Sequence, residues 1–237
     1  EIFDKPVYDG DVEETTEPIE IRYRPFSRSR YFKTEEKSGT GSGGPMTVKA
    51  NVIGYISCDS DDDNLVTQIN IEKLEGQGGG RVIEKAYDLH LTIKHSDTGE
   101  IIDLKVTGND KTKDVDSLGF KSNSIREMFG AFVQIFPSSG VETGDQLFTD
   151  DSREKQRNFG LDLSSIVQGV TEYNGRQSII ANVEGTMNLF GDAKGDMEGY
   201  YIIDVETGVV AYSETVMEFK PNSGEMFSGK ETARIEF

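Results

Sequence analysis

The triplet Asp97-Thr98-Gly99, in the stretch IKHSDTGEII, has the residue order that presents a catalytic aspartate in aspartic proteases. That chemistry needs two aspartates sharing one proton, each in a fixed loop whose apolar flanks hold it inside the fold. Here the flanks are His95, Ser96 and Glu100, and the later copies of the pattern, Glu142-Thr143-Gly144 and Glu206-Thr207-Gly208, carry glutamate. A carboxylate, a threonine and a glycine also suit a hairpin corner, which needs an acceptor for a turn hydrogen bond and a residue tolerant of positive φ. The triplets read as turns.

Other chemistries meet similar obstacles. Asp59, Asp61 and Asp63 alternate as the first oxygen ligands of a calcium loop do, but Asn64 stands where the sharp-turn glycine belongs and Asn70 where the bidentate glutamate belongs. GDAKGDMEG, with Asp192, Asp196 and Glu198, is a second loose acidic loop, and solvated hairpin loops account for both. Two histidines and one cysteine are too few for an ordinary zinc or iron site, and no metal or other cofactor is expected. Gly39, Gly41 and Gly44 match the spacing of a dinucleotide fingerprint, yet they follow a charged loop and precede Pro45 and a strand instead of opening a helix. Nucleophilic catalysis by Cys58 would need an oriented histidine, whereas His90 lies on the face of its strand opposite Leu89 and Leu91, and His95 at that strand's end. No catalytic residue is assigned, and the chain is not expected to be an enzyme.

The elements that would position any site follow from the pattern of apolar residues. Residues 1–18 form an acidic N-terminal segment, and 19–237 read as a single β-rich domain. Ile19, Ile21 and Tyr23 alternate briefly before Pro25, and KTEEKSGTGSGGP has the composition of a flexible loop. Met46, Val48, Ala50, Val52, Ile56 and Cys58 then share a face at period two, as do Leu65, Thr67, Ile69 and Ile71, and after them Ile83, Tyr87, Leu89, Leu91 and Ile93. DTGE reverses the chain into IIDLKVTG. Later, Asn174-Gly175 is a strong two-residue hairpin signal, GYYIIDV and VVAYSETVMEF flank the ETG turn, and Phe227, Ala233, Ile235 and Phe237 fall on one side of a last strand. VETGDQLF and the charged TDDSREKQR read as loop.

One segment has another period. In SIREMFGAFVQIFP, Ile125, Met128, Phe129, Phe132, Val133 and Phe136 follow the spacing of an amphipathic helix, with Ser124 and Glu127 as its capping box and Pro137 as its stop. The predicted fold is therefore mainly β: an antiparallel curved sheet or half-barrel of about ten strands with one amphipathic helix packed on its concave face. That helix is read first as core. The sharper expectation is a cavity between helix and sheet for an acyl chain or other apolar ligand, lined by Met128, Phe129, Phe132 and Phe136.

Composition narrows the partners. A net charge of -18 repels phosphates and anionic headgroups, so nucleic acid is not expected as a partner, and no apolar run is long enough to span a bilayer. A single cysteine excludes the disulfide-stapled secreted class. The chain starts at Glu1 without an initiator methionine, which suggests processing, with any signal peptide or lipid-bearing cysteine upstream.

The order of elements, with FPSSGVETGDQLF after the helix and then the hairpins YNGRQSIIANVEG and GYYIIDVETGVVAYS, resembles bacterial extracytoplasmic lipoproteins of unassigned function, whose curved sheet is similar to lipoprotein carriers of the LolA and LppX type. The likeness covers mainly residues 120 to 219, and the glycine-rich first half departs from those carriers. It implies an exported protein of the periplasm or cell surface, tethered by an upstream lipid, that binds a lipid-like or apolar ligand or a partner protein. The alternative expectation is a structural or adhesive surface module with acidic, calcium-binding loops.

Overall fold

In a computed structural model the chain is described over residues 3–41, 44–78, 81–108, 134–158, 161–189, 193–220 and 227–237. The strands are β1 (Phe26–Gly41), β2 (Gly44–Asp61), β3 (Asn64–Gly78), β4 (Arg81–His95), β5 (Ile101–Gly108), β6 (Leu161–Tyr173), β7 (Arg176–Leu189), β8 (Ala193–Asp204), β9 (Val210–Lys220) and β10 (Phe227–Glu236). A short helix, α1 (Asp150–Asn158), precedes β6. All ten strands form one antiparallel sheet in the order β5-β4-β3-β2-β1-β10-β9-β8-β7-β6. Consecutive strands pair, except β5 and β6, and the pairing of β1 with β10 joins the two halves.

The protein is mainly β, and its sheet is not closed into a barrel: β5 and β6 stand at opposite ends and do not pair. It is nonetheless curved. Ile93 and Leu104 from one end, Val167 and Ile179 from the other, and Ile235 from the middle belong to a single buried cluster, which a flat sheet of ten strands could not assemble. Leu147, Phe148, Val141 and Phe136 fill the concavity from the 134–148 connection, and Ile21 and Tyr23 fill it from the N-terminal segment.

That N-terminal segment acts as a strap. On the outer face Lys5 pairs with Glu198 at 2.8 Å, and Tyr8 packs on Tyr200 and hydrogen-bonds Thr171. Glu13 and Val170 exchange two backbone hydrogen bonds at the edge strand β6, and Ile19 and Val141 exchange two more. The strap thus passes from the outer face around an edge into the core, covering backbone groups that would otherwise be open to pairing with another chain.

The three carboxylate-Thr-Gly triplets are the corners that hold it. The Thr15 amide donates to Thr143 Oγ1, the Tyr23 amide to the Asp97 carbonyl at 2.8 Å, and the Arg24 amide to the Thr207 carbonyl at 3.1 Å. Asp97 and Glu206 project into solvent, with side chains 64% and 73% exposed, so the carboxylates of the triplets form no proton-sharing dyad. The turn reading is correct, and the corners also grip a third segment.

Three expectations change. The stretch read as a flexible loop is strand: β1 and β2 pair from Arg30↔Tyr55 through Gly41↔Gly44. Its inward side chains are Lys33, Glu35 and Lys37, which pair with one another, so the strand carries no apolar alternation. The charged TDDSREKQR, read as loop, holds α1; Thr149 caps it, with its Oγ1 accepting from the Ser152 amide, and Asp150 and Asp151 suit the positive end of the helix. Of the helix expected over 124–136, residues 124–133 lie outside the described residues, and Gln134, Ile135 and Phe136 are not helical. Their amides donate instead to Tyr23 Oη, Ser152 Oγ and the Thr98 carbonyl.

The corners make a graded prediction. At Gly99 (φ 97°) a Cβ would lie 2.0 Å from the Gln134 carbonyl oxygen, and at Gly208 (φ 72°) 2.4 Å from that of Arg22, whereas at Gly144 (φ 95°) it would meet nothing within 4 Å. Gly144→Ala is expected to cost about 1 kcal/mol, the strain of positive φ alone. Gly99→Ala and Gly208→Ala should each cost roughly 2 kcal/mol more, because backbone must move. Urea unfolding of the three variants checks the order, and equal losses would contradict the gripping role.

Candidate functional site

The concave face changes character along its length. Near the corners it is the apolar cluster just described, and Tyr31 of β1 and Tyr201 of β8 pack against it. Two residues further along β1, on the same face, stands Lys33. It is flanked by Glu231 of β10 at 3.0 Å and Glu35 at 3.1 Å, and Glu35 in turn reaches Lys37 at 3.2 Å. Their exposures are low for charged groups, 19% for Lys33, 28% for Glu231 and 31% for Glu35. Burial alone would lower the Lys33 pKa, but Glu231, Tyr31 and Glu35 outweigh it and hold the ammonium well above its usual range. Burial likewise raises the Glu35 carboxyl, and Lys33 and Lys37 overcome that and bring it below its usual range. The Tyr31 hydroxyl is pushed up to about 12, chiefly by burial.

Across the sheet from this ionic row the face is soft. Met197 of β8 and Met217 of β9 lie directly opposite each other, and Met197, Leu163 and Val183 form a small buried cluster against which Tyr201 and Met217 pack. An adaptable thioether surface beside fixed charges can take an apolar body and a polar end together.

The expected site residues are distributed unevenly. Phe136 is 2% exposed and lies in the core between Tyr23 and Phe148, at ring separations of 5.3 and 5.9 Å. Met128, Phe129 and Phe132 lie outside the described residues. Lys33, Glu35 and Lys37 of the ionic row fall in the stretch read as loop, where Glu36 between them breaks any period in charge, and Glu231 comes from the last strand.

Two further constellations come together at the corners. His95 is completely buried, while His90 is exposed and bonded to Asn70. His95 Nδ1 lies 2.7 Å from the Ser96 carbonyl, which can only accept, so Nδ1 carries the proton and Nε2 accepts from Thr67 Oγ1 at 2.8 Å. Thr67 lies directly opposite Cys58 across the sheet, so cysteine and histidine both neighbour one threonine. Burial raises the Cys58 thiol and lowers the His95 pKa, against the Ser96 bond, so both are neutral, and the thiol is 1% exposed. The arrangement holds the DTG corner and offers no nucleophile.

At the other corner Asp204, 1% exposed, receives both Nε and Nη2 of Arg176 at 3.0 and 2.9 Å, together with the Thr207 amide and hydroxyl. Burial would raise its pKa, but these donors outweigh it and hold the carboxyl below its usual range. The Arg176 guanidinium lies 4.7 Å from the Phe237 ring centre, and a cleft of about 440 Å³ beside it is lined by Tyr173, Asn174, Ser178 and Glu236 as well. Asp59, Asp61 and Asp63 gather no ligand set: Asp61 pairs with Lys94, and among the described residues no group of three His, Cys, Asp or Glu side chains is placed to hold a metal ion. No helix among them is long and apolar enough to cross a membrane.

No protein-family model matches the chain, and no curated protein matches it. Among solved structures it is similar to Pseudomonas aeruginosa OccK5 (OpdH), at 7% identity and a TM-score of 0.22 over 89% of this chain and 68% of that one. It is also similar to a DUF1329 family protein from Desulfovibrio piger, at 9% identity and a TM-score of 0.20 over 86% of this chain and 85% of that one. At these TM-scores neither likeness bears on function.

His95 yields a pH prediction. Its folded pKa is depressed, so below the unfolded value of about 6.5 the unfolded chain binds more protons and stability falls with pH. Wild type should lose at most about 1.4 kcal/mol per pH unit from this group on descending from pH 6.5. The depressed carboxyls Glu35, Asp204 and Glu214 act lower, with stability lost only below about pH 4.5. In His95→Gln the slope between pH 7 and 5 should flatten; urea midpoints across that range measure it, and an unchanged slope would assign the effect elsewhere.

Proposed function

We propose that the chain is a non-enzymatic extracytoplasmic binding protein that takes an amphipathic, lipid-like ligand on the concave face of its sheet. The observation that carries this reading is the row Lys33, Glu231 and Glu35. Three partly desolvated charges on the inner face of a half-barrel contribute little to stability compared with an apolar trio of similar volume, because desolvation offsets their attraction. A ligand with a polar end gives them a use, and Met217 and Tyr201, half-buried over Met197, offer its apolar body a surface that can adjust.

The absence of an enzymatic role is part of the proposal. It is supported by Cys58 and His95 being buried and neutral, and by the depressed carboxyls Asp204, Glu35 and Glu214 all being held by cations. Location outside a bacterial cytoplasm, with a lipid anchor upstream, rests on the sequence resemblance alone.

Native mass spectrometry of protein expressed with export tests the reading. It should show the chain carrying an added mass of an amphipathic lipid, removable by organic solvent. Ala233, directly opposite Lys33 in the β1–β10 pairing, is the position to block, and Ala233→Trp should abolish both the added mass and the binding of a fluorescent fatty acid while the far-ultraviolet spectrum stays native. Protein that carries no added mass and binds neither fatty acid nor lysophospholipid would overturn the proposal.

A further inference from the structure

The outer face of the sheet carries a second surface, built from different residues. From Ile21 to Thr34 the chain has four arginines and a lysine and no acidic residue, in a protein of net charge -18. Lys33 points inward, and Arg22 is half-buried against Glu20 and the Ser138 carbonyl. Arg24, Arg28 and Arg30 are exposed. The pairing of β1 with β10 adds Arg234, which lies opposite Phe32. Arg30 and Arg234 sit 5.0 and 4.5 Å from the centre of the Phe32 ring, and Arg28 lies 3.7 Å from that of Tyr55. Arg28 pairs with Glu72 and Arg234 with Glu236, whereas Arg30, opposite Glu236 in the register, makes no ion pair within 4 Å among the described residues. Stacking on rings fixes the guanidinium planes before any ligand arrives.

Beside this stripe an open groove of about 440 Å³ crosses β1 to β4, lined by Arg28, Tyr55, Gln68, Asn70, Glu72 and His90. Asn70, Tyr55 and Arg30 lie in one register row, so groove and stripe are continuous. The N-terminal strap crosses the outer face over Thr171, Glu198 and Tyr200, on β6 and β8, and among the described residues makes no bond to this side.

We infer that this face binds an acidic oligosaccharide, a sugar chain bearing spaced carboxylates. A fixed guanidinium plane matches a carboxylate with two parallel hydrogen bonds. The amides of Gln68 and Asn70 present both donors and acceptors, as sugar hydroxyls require. Charge decides among anions. The field of a protein at -18 opposes any dense polyanion or broad anionic surface, whereas carboxylates separated by neutral sugar meet the local arginines with less of that repulsion.

Titration of the intact chain with hyaluronan oligosaccharides, in which a neutral N-acetylglucosamine separates each glucuronate from the next, at low salt and followed by calorimetry, tests this. Wild type should bind, with affinity falling as salt rises, and neutral maltodextrin should not bind. Arg30→Gln/Arg234→Gln should weaken binding by at least roughly tenfold, and Arg30→Lys should weaken it less, since one charge stays while the fork is lost. If the double variant loses its native spectrum, Arg30→Gln alone is read, and it should still weaken binding severalfold. No binding by wild type at low salt, undiminished binding by these variants, or tighter binding of oligo-dT or of phosphatidylglycerol vesicles than of the uronate chain would each overturn the inference.

Discussion

A buried backbone amide without an acceptor costs about as much as a lost hydrogen bond, and the N-terminal segment of this protein enters the core carrying a series of them. Thr15, Tyr23 and Arg24 place their amides on the corners at Thr143, Asp97 and Thr207. The corners are closed in return: the α-carbon of Gly208 packs against Arg22 of the strap, and that of Gly99 against Gln134 and the Tyr23 ring, so closely that a methyl group has no room. Tyr23 is the centre of this arrangement: its hydroxyl accepts from the Gln134 amide, and its ring meets His95 edge-on and Phe136 at a tilt. This one segment shares the filling of the concavity with the 134–148 connection and covers the β6 edge.

Charge is divided between the two faces of the sheet in a way that net charge conceals. The inner face carries a compact row in which each cation lies against a carboxylate, and the outer face of β1 and β10 carries arginines stacked on rings. Both come from the same short run of β1, where alternate residues point to opposite faces. A strand that would weaken a purely apolar core thus supplies a polar floor on one side and a cationic surface on the other.

What the sequence made legible was local. Asn174-Gly175 turns with both residues at positive φ, and Gly99, Gly144 and Gly208 do the same at the triplets. Long apolar alternation at Met46–Cys58 and Leu65–Ile71 located β2 and β3. The misses share a cause: in each, the partner that decides the structure is distant in sequence. Lys33 and Glu35 make a strand because Glu231 and β2 receive them, α1 forms without an apolar face because Ser152 binds Gln134, and Ile21 and Tyr23 are core without being sheet. His95 gave no sign of burial because Thr67, which accepts that burial, lies on the neighbouring strand.

Residues 13–24 are a hydrogen-bonded strap that carries Ile21 and Tyr23 into the core. Amide hydrogen exchange resolved by residue tests this directly. The amides of Glu13, Ile19, Tyr23 and Arg24 should exchange as slowly as those in the middle of β7 and β8, opening only with global unfolding. Exchange of these amides at the rate of an exposed loop, while β7 and β8 stay protected, would contradict the account.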